Sequence, residues 1–256
     1  MKTPFVLAST HYGPMIVNRL DTGVSWQLFE TGGHESEVVS FGLDVSAQCR
    51  DIYGVGVQII DVGANIGTCT IPWARYCRDW GKVTAFEPQE PLYYALCGNI
   101  ALNNLFNVRA VRGVVTEVGI PNTLIPKINY EVESNFGGIA MKSGLLKHSP
   151  GQDLSYDNDL KITPSYAIDS LYPTRLDVLK IDVEGMEIDV LKGAITTIRK
   201  HHPVLITEWI HCGTEVITQF LEGYEHFTLE GNIVSVHKDE QTILKFVQSK
   251  MGFKQG

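Results

Sequence analysis

Two acidic residues follow apolar segments at a spacing that suits a nucleotide-like ligand. Asp61 ends an apolar run and is followed directly by a turn that is bounded by Gly63 and Gly67. Twenty residues after Gly67, a second apolar run ends in Glu87. A strand, a glycine turn and a helix N-terminus can hold the polar end of a cofactor, and an acid at this distance can accept hydrogen bonds from a ribose. The pattern therefore predicts a cofactor site.

The composition of the turn favours one class of cofactor. Dinucleotide folds place a glycine where this chain has Asn65, so that a pyrophosphate can approach the bare backbone. Asparagine tolerates the left-handed backbone conformation, but its side chain takes up that space. An acid just before the turn also disfavours a phosphate. We therefore expect S-adenosylmethionine, which carries an ammonium and a sulfonium group. The predicted contacts are Asp61, Gly63, Ala64, Asn65, Gly67, Glu87 and Pro88.

Three alternatives remain open for these residues. The turn could be an ordinary strand–turn–helix connection without a ligand. Asp61, expected near the cofactor ammonium, could instead accept hydrogen bonds from the N–H groups of its own turn. Glu87, expected at the ribose, could instead cap the helix after Pro88.

Composition and charge restrict the possible classes of protein. The 256 residues are 44% hydrophobic and 20% charged, which is typical of one sizeable α/β domain. The net charge of −8 argues against a nucleic-acid partner. The five cysteines are scattered and form no C-x-x-C pair, which suggests a reducing compartment. We find no signal peptide and no apolar run of membrane-spanning length, so we expect a cytoplasmic protein without a membrane partner.

Strand and helix signals alternate along most of the chain. Alternation of this kind predicts a parallel sheet with helices on both faces. A helix and a hairpin follow, and the hairpin implies one antiparallel strand near the C-terminus. The predicted strands are 57–61, 82–87, 107–111, 177–182, 203–208, 224–229 and 233–237, and the predicted helices are 34–49, 68–80, 89–103, 185–200 and 213–222.

The same pattern suggests a domain organisation. Residues 1–50 are predicted to be an extension that serves as a lid or binds the acceptor, with short strands and turns up to residue 33. Residues 51–245 are predicted to form the cofactor-binding domain. The segment 113–165 interrupts the alternation, is rich in Pro, Gly, Asn and Ser, and is expected to be an insertion that covers the cofactor site. Residues 246–256 are expected to be a tail.

A second group of acids marks the expected reaction centre. Asp182 and Glu184 follow the strand 177–182, and Glu208 ends the next strand. Because ligands bind at the carboxyl ends of strands in open α/β sheets, these three residues are the predicted catalytic acids, with Asp182 also at the cofactor. Methyl transfer requires alignment and removal of the acceptor proton, which a carboxylate can accept. The alternative is that these acids cap the following helices. Mg²⁺ is possible here, but no metal site is predicted.

In its motifs the chain resembles the FkbM-type S-adenosylmethionine-dependent methyltransferases. The matching segments occur in the family's order over residues 61–208 and leave the first 33 residues unmatched. The two most specific are Asp-Val-Gly-Ala-Asn-Ile-Gly and Lys-Ile-Asp-Val-Glu-Gly. The matching segments are 61–67, 85–88, Asn99 with 102–103, 135–138, 180–185, 191–194, and Pro203 with Glu208.

The resemblance implies a class I methyltransferase sheet of Rossmann-like form. It also implies methylation of a hydroxyl group on a small molecule or sugar-containing metabolite, often in specialised metabolite biosynthesis. N-methylation of a peptide or amide side chain is the alternative, with an NAD-dependent oxidoreductase or a non-catalytic module more remote. The acceptor is expected to be a small molecule, sugar or peptide, and the oligomeric state is left open. The predicted acceptor contacts are His34, Asn135, Phe136, Trp209 and His211.

Overall fold

The computed structural model describes residues 3–252. The strands of this part of the chain are β1 Phe5–Thr10, β2 Gly13–Asn18, β3 Val57–Val62, β4 Gly81–Glu87, β5 Val108–Arg112, β6 Val114–Val115, β7 Asn122–Pro126, β8 Leu160–Tyr166, β9 Val178–Ile181, β10 Val204–Glu208, β11 Tyr224–Leu229 and β12 Asn232–His237.

The helices alternate with the strands of the main sheet. They are α1 Val24–Thr31, α2 Ser36–Tyr53, α3 Thr70–Tyr76, α4 Glu90–Leu102, α5 Glu187–Lys192, α6 Ile195–His201, α7 Thr214–Phe220 and α8 Gln241–Met251, with a short 3₁₀ helix at Ile168–Leu171. Within residues 3–252, no helix combines the length and apolar character needed to cross a membrane.

A seven-stranded sheet forms the centre of the fold, in the order β11-β12-β10-β9-β3-β4-β5. Its strands are parallel except β12, which runs antiparallel to both of its neighbours. The prediction of a mostly parallel α/β sheet with one antiparallel strand near the C-terminus is confirmed. The order of the strands reverses at β3, because β4 is added on one side of it and β9 on the other. A ligand crevice is expected at such a point.

Helices cover both faces of this sheet because its central strands are apolar on both sides. In β3, Ile59 packs in one core cluster and the adjacent Ile60 packs in another, as the alternation of side chains along a strand requires. The first cluster includes residues of α2, α3 and α8, and the second includes residues of α5, α6 and α7. The predicted placement of helices on both faces is therefore confirmed.

The N-terminal segment contains a helix where the sequence predicts only short strands. β1 and β2 are short strands, as predicted, and they pair antiparallel, but α1 follows. The carboxylate of Asp21 accepts the backbone N–H groups of Gly23 (3.1 Å) and Ser25 (2.7 Å). These bonds satisfy N–H groups at the start of α1, so the turn at 21–23 initiates a helix instead of reversing a hairpin.

The insertion 113–165 is also more ordered than its composition suggests. β6, β7 and β8 form a separate three-stranded sheet in which β8 lies in the centre. β7 pairs antiparallel with β8, and β6 pairs parallel with it. These strands are not predicted from the sequence, because β8 satisfies the backbone groups of two segments that come much earlier in the chain.

Two further boundaries differ from the sequence prediction. The helix predicted at 185–200 is divided into α5 and α6 at Gly193, where a Cβ atom would lie 2.0 Å from the Thr116 carbonyl oxygen. The expected tail begins inside α8, and its residue Val247 is fully buried in the first core cluster. Residues 246–251 therefore belong to the packed fold, whereas 253–256 lie outside the described residues.

Candidate active site

A cavity of about 270 Å³ opens at the carboxyl ends of the central strands. Because β10, β9, β3 and β4 are parallel neighbours, the acids that end or follow them meet at this edge of the sheet. The predicted site residues that line the cavity are His34, Asp61, Gly63, Ala64, Asn65, Glu87, Pro88, Asn135, Asp182, Glu184 and Glu208.

The turn after β3 leaves bare backbone beside the cavity. Gly63 has φ 81° and a Cβ atom there would lie 1.7 Å from the Asp182 carbonyl oxygen, so only glycine fits. Asn65 takes the left-handed conformation that the sequence predicts, with φ 51°. Gly67 does not line the cavity, since its Cα faces Leu96 and Ile71. The expected contact between Gly67 and the cofactor is therefore not supported. Glycine is needed there for the backbone conformation of the turn, since φ is 98°.

Glu87 is almost completely buried at the wall of the cavity. One carboxylate oxygen accepts the N–H of Asn65 (2.9 Å), and the other accepts the N–H of Gln89 (2.8 Å). Burial raises the pKa of Glu87 to about 7, although these two hydrogen bonds act in the opposite direction. The carboxylate is thus fixed in position, with further lone pairs for hydroxyl donors.

Asp61 lies at the base of the cavity with no solvent exposure. Its Oδ2 accepts a hydrogen bond from Thr70 (2.6 Å), while Oδ1 has no partner among the described residues. Burial raises the pKa of Asp61, and the charge of Lys180 opposes that rise. The alternative in which Asp61 bonds the N–H groups of its own turn is not what the structure shows. An unpaired oxygen remains at the cavity wall.

Lys180 is a buried cation that the sequence analysis did not select. Its Nζ donates to Asp182 (2.8 Å) and lies 3.7 Å from a carboxylate oxygen of Glu35. Burial acts to lower the pKa of Lys180, but Asp182 and Glu35 raise it well above its usual value. Glu35 also lines the cavity and is the N-cap residue of α2. The ion pair thus connects the N-terminal extension to the centre of the sheet.

The sequence feature that points to Lys180 is its position in a strand. It is the only charged residue within β9, an otherwise apolar strand that is buried throughout. A lysine at such a position requires a charged partner. Glu35 offers no comparable signal, because the pair joins residues from distant parts of the chain. Gln89 was also missed, and it contacts the insertion through the Phe136 carbonyl (2.8 Å) and the Tyr130 hydroxyl (2.9 Å).

The acids at the other end of the cavity have raised pKa values. Burial is the largest cause for both Glu184 and Glu208, and the charge of Asp182 adds to it. The pKa of Glu184 rises to about 8 and that of Glu208 to about 9. His211 Nε2 lies 2.6 Å from Glu184 and 3.9 Å from Glu208. With these pKa values both carboxyl groups are mostly protonated at neutral pH, and each becomes a strong proton acceptor once it is ionised.

The expected acceptor contacts are only partly at the cavity. His34 and Asn135 line it, and His211 contacts its acids without lining it. Phe136 is fully buried against Tyr130 in the core, with ring centroids 5.0 Å apart, so its side chain cannot contact the acceptor. Trp209 does not line the cavity and packs beside the second core cluster. The structure therefore does not bring these two side chains to the cavity, because both find apolar neighbours in the fold.

Comparison with known proteins identifies the relatives of this chain. The profile of the methyltransferase FkbM domain matches residues 61–225. The chain is 33% identical to the methyltransferase sdnD of Sordaria araneosa in an alignment 173 residues long, and the match covers 57% of this chain and 64% of sdnD. It is 26% identical to the hexuronic acid methyltransferase AglP of Haloferax volcanii in an alignment 189 residues long, and that match covers 72% of this chain and 68% of AglP.

A solved structure is similar as well. It is the methyltransferase FkbM of Methylobacillus flagellatus KT, with 16% identity and a TM-score of 0.47. The match covers 71% of this chain and 44% of that one. The chain thus spans less than two thirds of sdnD and less than half of the solved relative.

Proposed function

The chain belongs to the methyltransferase FkbM domain family, and from this premise we propose that it transfers a methyl group from S-adenosylmethionine to a hydroxyl group of a small molecule or sugar-containing metabolite. The charge of the cavity carries the proposal. Six acids line it, and the only lysine or arginine among its described lining residues is Lys180. These acids are Glu35, Asp61, Glu87, Asp182, Glu184 and Glu208.

An acidic lining selects for a cationic cofactor without phosphate groups. Phosphates would be repelled, whereas an ammonium and a sulfonium would be attracted. Glu87 is placed to accept hydrogen bonds from ribose hydroxyls, and the unpaired Oδ1 of Asp61 can accept one from an ammonium, directly or through water. The bare backbone at Gly63 admits the amino-acid part. S-adenosylmethionine supplies an electrophilic methyl group on sulfur and leaves as S-adenosylhomocysteine.

The remaining acids are available for the acceptor. An acceptor hydroxyl loses its proton to a carboxylate as its oxygen bonds to the methyl carbon. Asp182, Glu184 and Glu208 line the same cavity and are the candidates for that task. The name of AglP supports sugar-derived acceptors as one class to test. A neutral hydroxyl is the better match to an acidic cavity, because an anionic group would be repelled.

Calorimetric titration tests the cofactor assignment. We expect saturable binding of S-adenosylmethionine and S-adenosylhomocysteine at micromolar concentrations and no binding of NAD⁺. Glu87→Ala should weaken binding by at least tenfold, whereas Asp182→Ala should retain most of the affinity and lower turnover. Binding of NAD⁺ alone would overturn the proposal.

A labelled methyl donor tests the acceptor class. We expect label to enter a panel of hydroxylated sugars and small metabolites, and to be stable to mild alkaline hydrolysis as an ether. Label found only in peptide or amide nitrogen would replace the hydroxyl with a nitrogen acceptor. A matched reaction with Glu208→Gln should transfer less label at equal cofactor occupancy.

A further inference from the structure

Three potential metal ligands converge beside the cavity. Glu184 follows β9, Glu208 ends β10, and His211 lies in the turn after β10. His211 Nε2 is 2.6 Å from a Glu184 oxygen and 3.9 Å from Glu208 Oε2. One ligand atom from each of the three residues lies within 4.8 Å of the other two. Ligand atoms about 2.1 Å from one ion are roughly 3 to 4 Å apart, so small side-chain shifts would bring all three into coordination.

A second observation is that buried polar atoms of Glu208 and His211 lack hydrogen-bond partners among residues 3–252. Glu208 Oε2 is shielded from solvent and accepts no hydrogen bond from the described residues. The His211 side chain is nine-tenths buried and directs Nε2 toward both carboxylates, while its Nδ1 is also unpartnered in this part of the chain. Buried polar atoms without partners are costly and uncommon, and they call for an explanation. A bound cation would satisfy the Glu208 oxygen and separate the negative charges.

We propose that Glu184, Glu208 and His211 bind a divalent transition metal of the Mn²⁺ or Zn²⁺ class. The imidazole distinguishes this choice from Mg²⁺, which prefers oxygen ligands and retains several waters. Two carboxylates also match the charge of one divalent ion. Three protein ligands leave coordination positions open, as in metal sites that bind a substrate.

The position of the site suggests what the metal does. Glu184 and Glu208 line the cavity, so the open coordination positions face the space that the acceptor would enter. This role rests on the proposed function, whereas metal binding itself does not. The metal would hold the acceptor oxygen and favour loss of its proton. Asp182 lines the same cavity and is not among the three ligands, so it remains available as the proton acceptor.

Direct metal binding to the full chain tests the proposal. The protein is treated with a chelator, dialysed, and titrated calorimetrically with Mn²⁺, Zn²⁺ or Mg²⁺ without cofactor. We expect one equivalent of Mn²⁺ or Zn²⁺ at micromolar concentration and weaker binding of Mg²⁺. Glu208→Gln and His211→Ala should each weaken binding at least tenfold. Circular dichroism should show both variants folded, and Glu208→Gln preserves the side-chain volume if His211→Ala does not fold.

A second histidine cluster provides the matched control. His202, His237 and Asp239 also lie within reach of one ion, away from the cavity. The imidazoles of His202 and His237 are stacked with centroids 3.6 Å apart. Two rings in this arrangement cannot both direct nitrogen lone pairs at one ion. His237→Ala should leave the stoichiometry unchanged. Loss of binding in His237→Ala with retention in Glu208→Gln would overturn the proposal, and so would the absence of any binding by the unmodified chain.

The outcomes separate this proposal from the proposed function. Metal binding is measured without cofactor, and cofactor binding is measured after chelator treatment. Binding of S-adenosylhomocysteine without any Mn²⁺ or Zn²⁺ binding would contradict only the metal site. Metal binding that depends on Glu208 and His211, in a chain that binds no adenosyl ligand, would contradict only the methyltransferase proposal.

Discussion

Glu87 combines burial with a fixed orientation, and this makes its ionisation a measurable part of ligand binding. Its pKa is raised to about 7, so near neutral pH it is partly protonated in the free protein. Ribose hydroxyls that donate to the carboxylate favour its ionised form. The affinity for an adenosyl ligand should therefore increase as the pH rises from 6 to 8 and level off above that range.

Methylthioadenosine is a suitable probe for this effect, because it retains the ribose but lacks the ionisable amino-acid group. We expect its affinity to rise about tenfold between pH 6 and 8, as the linkage of one proton predicts. Calorimetry in buffers of different ionisation enthalpy would detect proton release on binding. Glu87→Gln should bind more weakly and with little pH dependence. A pH-independent affinity in the unmodified chain would contradict the ribose assignment.

The charge of Lys180 stabilises the folded state by compensating the acidic residues at the bottom of the cavity. Lys180→Met would leave Asp182 and Glu35 without their cation and Asp61 without the charge that opposes its rise in pKa. Removal of one partner from a buried ion pair typically costs about 3 to 5 kcal/mol. We expect a loss of about 3 kcal/mol at pH 8 and a smaller loss at pH 5, because burial raises the pKa of Asp61, which can then be protonated in the folded state.

Urea unfolding at the two pH values measures this difference. Lys192→Met is the control, since Lys192 is exposed at the end of α5. The free energy of unfolding of this variant should differ from that of the unmodified chain by less than about 0.5 kcal/mol. An equal effect of the two variants, or a larger loss for Lys180→Met at pH 5 than at pH 8, would show that the charge of Lys180 is not what stabilises the site.

The turn between β3 and α3 depends on one close backbone approach. Gly63 and Gly54 have nearly the same backbone angle, with φ 81° and 79°, but their surroundings differ. A Cβ atom at Gly63 would lie 1.7 Å from the Asp182 carbonyl oxygen, whereas at Gly54 no atom lies within 4 Å. Gly54 has ψ −172°, in a region that residues other than glycine rarely adopt, so Gly54→Ala should cost only a backbone strain of about 1 to 3 kcal/mol. Gly63→Ala should cost about 3 kcal/mol or more, because β3 and the chain after β9 must separate.

Comparison of the two alanine variants by urea unfolding tests the steric contribution, since a positive φ is common to both. Equal losses would contradict the close contact. Gly63→Ala should also weaken adenosyl binding, whereas Gly54→Ala should leave it unchanged because Gly54 lies outside the cavity lining.

Elements with a strong local signal were predicted from the sequence, and elements that depend on distant partners were not. β4 and β10 end in acids within apolar runs, and their predicted positions agree with the structure to within a residue. β8 begins more than 30 residues after β7 ends, so no local pattern reveals that they pair. α1 was missed because Asp21 in a turn is compatible with either a hairpin or a helix start.

The same distinction between local signals and distant partners applies to the residues of the candidate active site. The acids Asp61, Glu87, Asp182 and Glu208 could be selected because each lies at or next to the end of a mainly apolar strand. Glu35 could not, because its pairing with Lys180 depends on how α2 packs against the sheet. Phe136 was misassigned for a related reason: a turn sequence does not show whether an aromatic side chain points toward a ligand or into the core.

At the scale of the whole molecule, one core joins segments that the sequence separates into an extension, a domain and a tail. The first core cluster includes Met15 of β2, Val45 of α2, Ile59 of β3, Ile139 of the insertion and Val247 of α8. Shared burial of this kind couples the stability of these segments. The N-terminal segment should therefore unfold together with the sheet, although the cavity lies between them.

Native-state hydrogen exchange with mass spectrometry measures this coupling, because it gives a free energy of opening for each peptide. We expect the slowest amides of α2 and α8 to open at the same free energy as those of β9, within about 1 kcal/mol, and the turn at 210–213 to open at a much lower one. A core that is shared in this way leaves no path by which residues 1–50 unfold alone. A distinctly lower free energy for α2 would instead show that the extension opens independently, and it would then be able to act as the mobile lid that the sequence suggests.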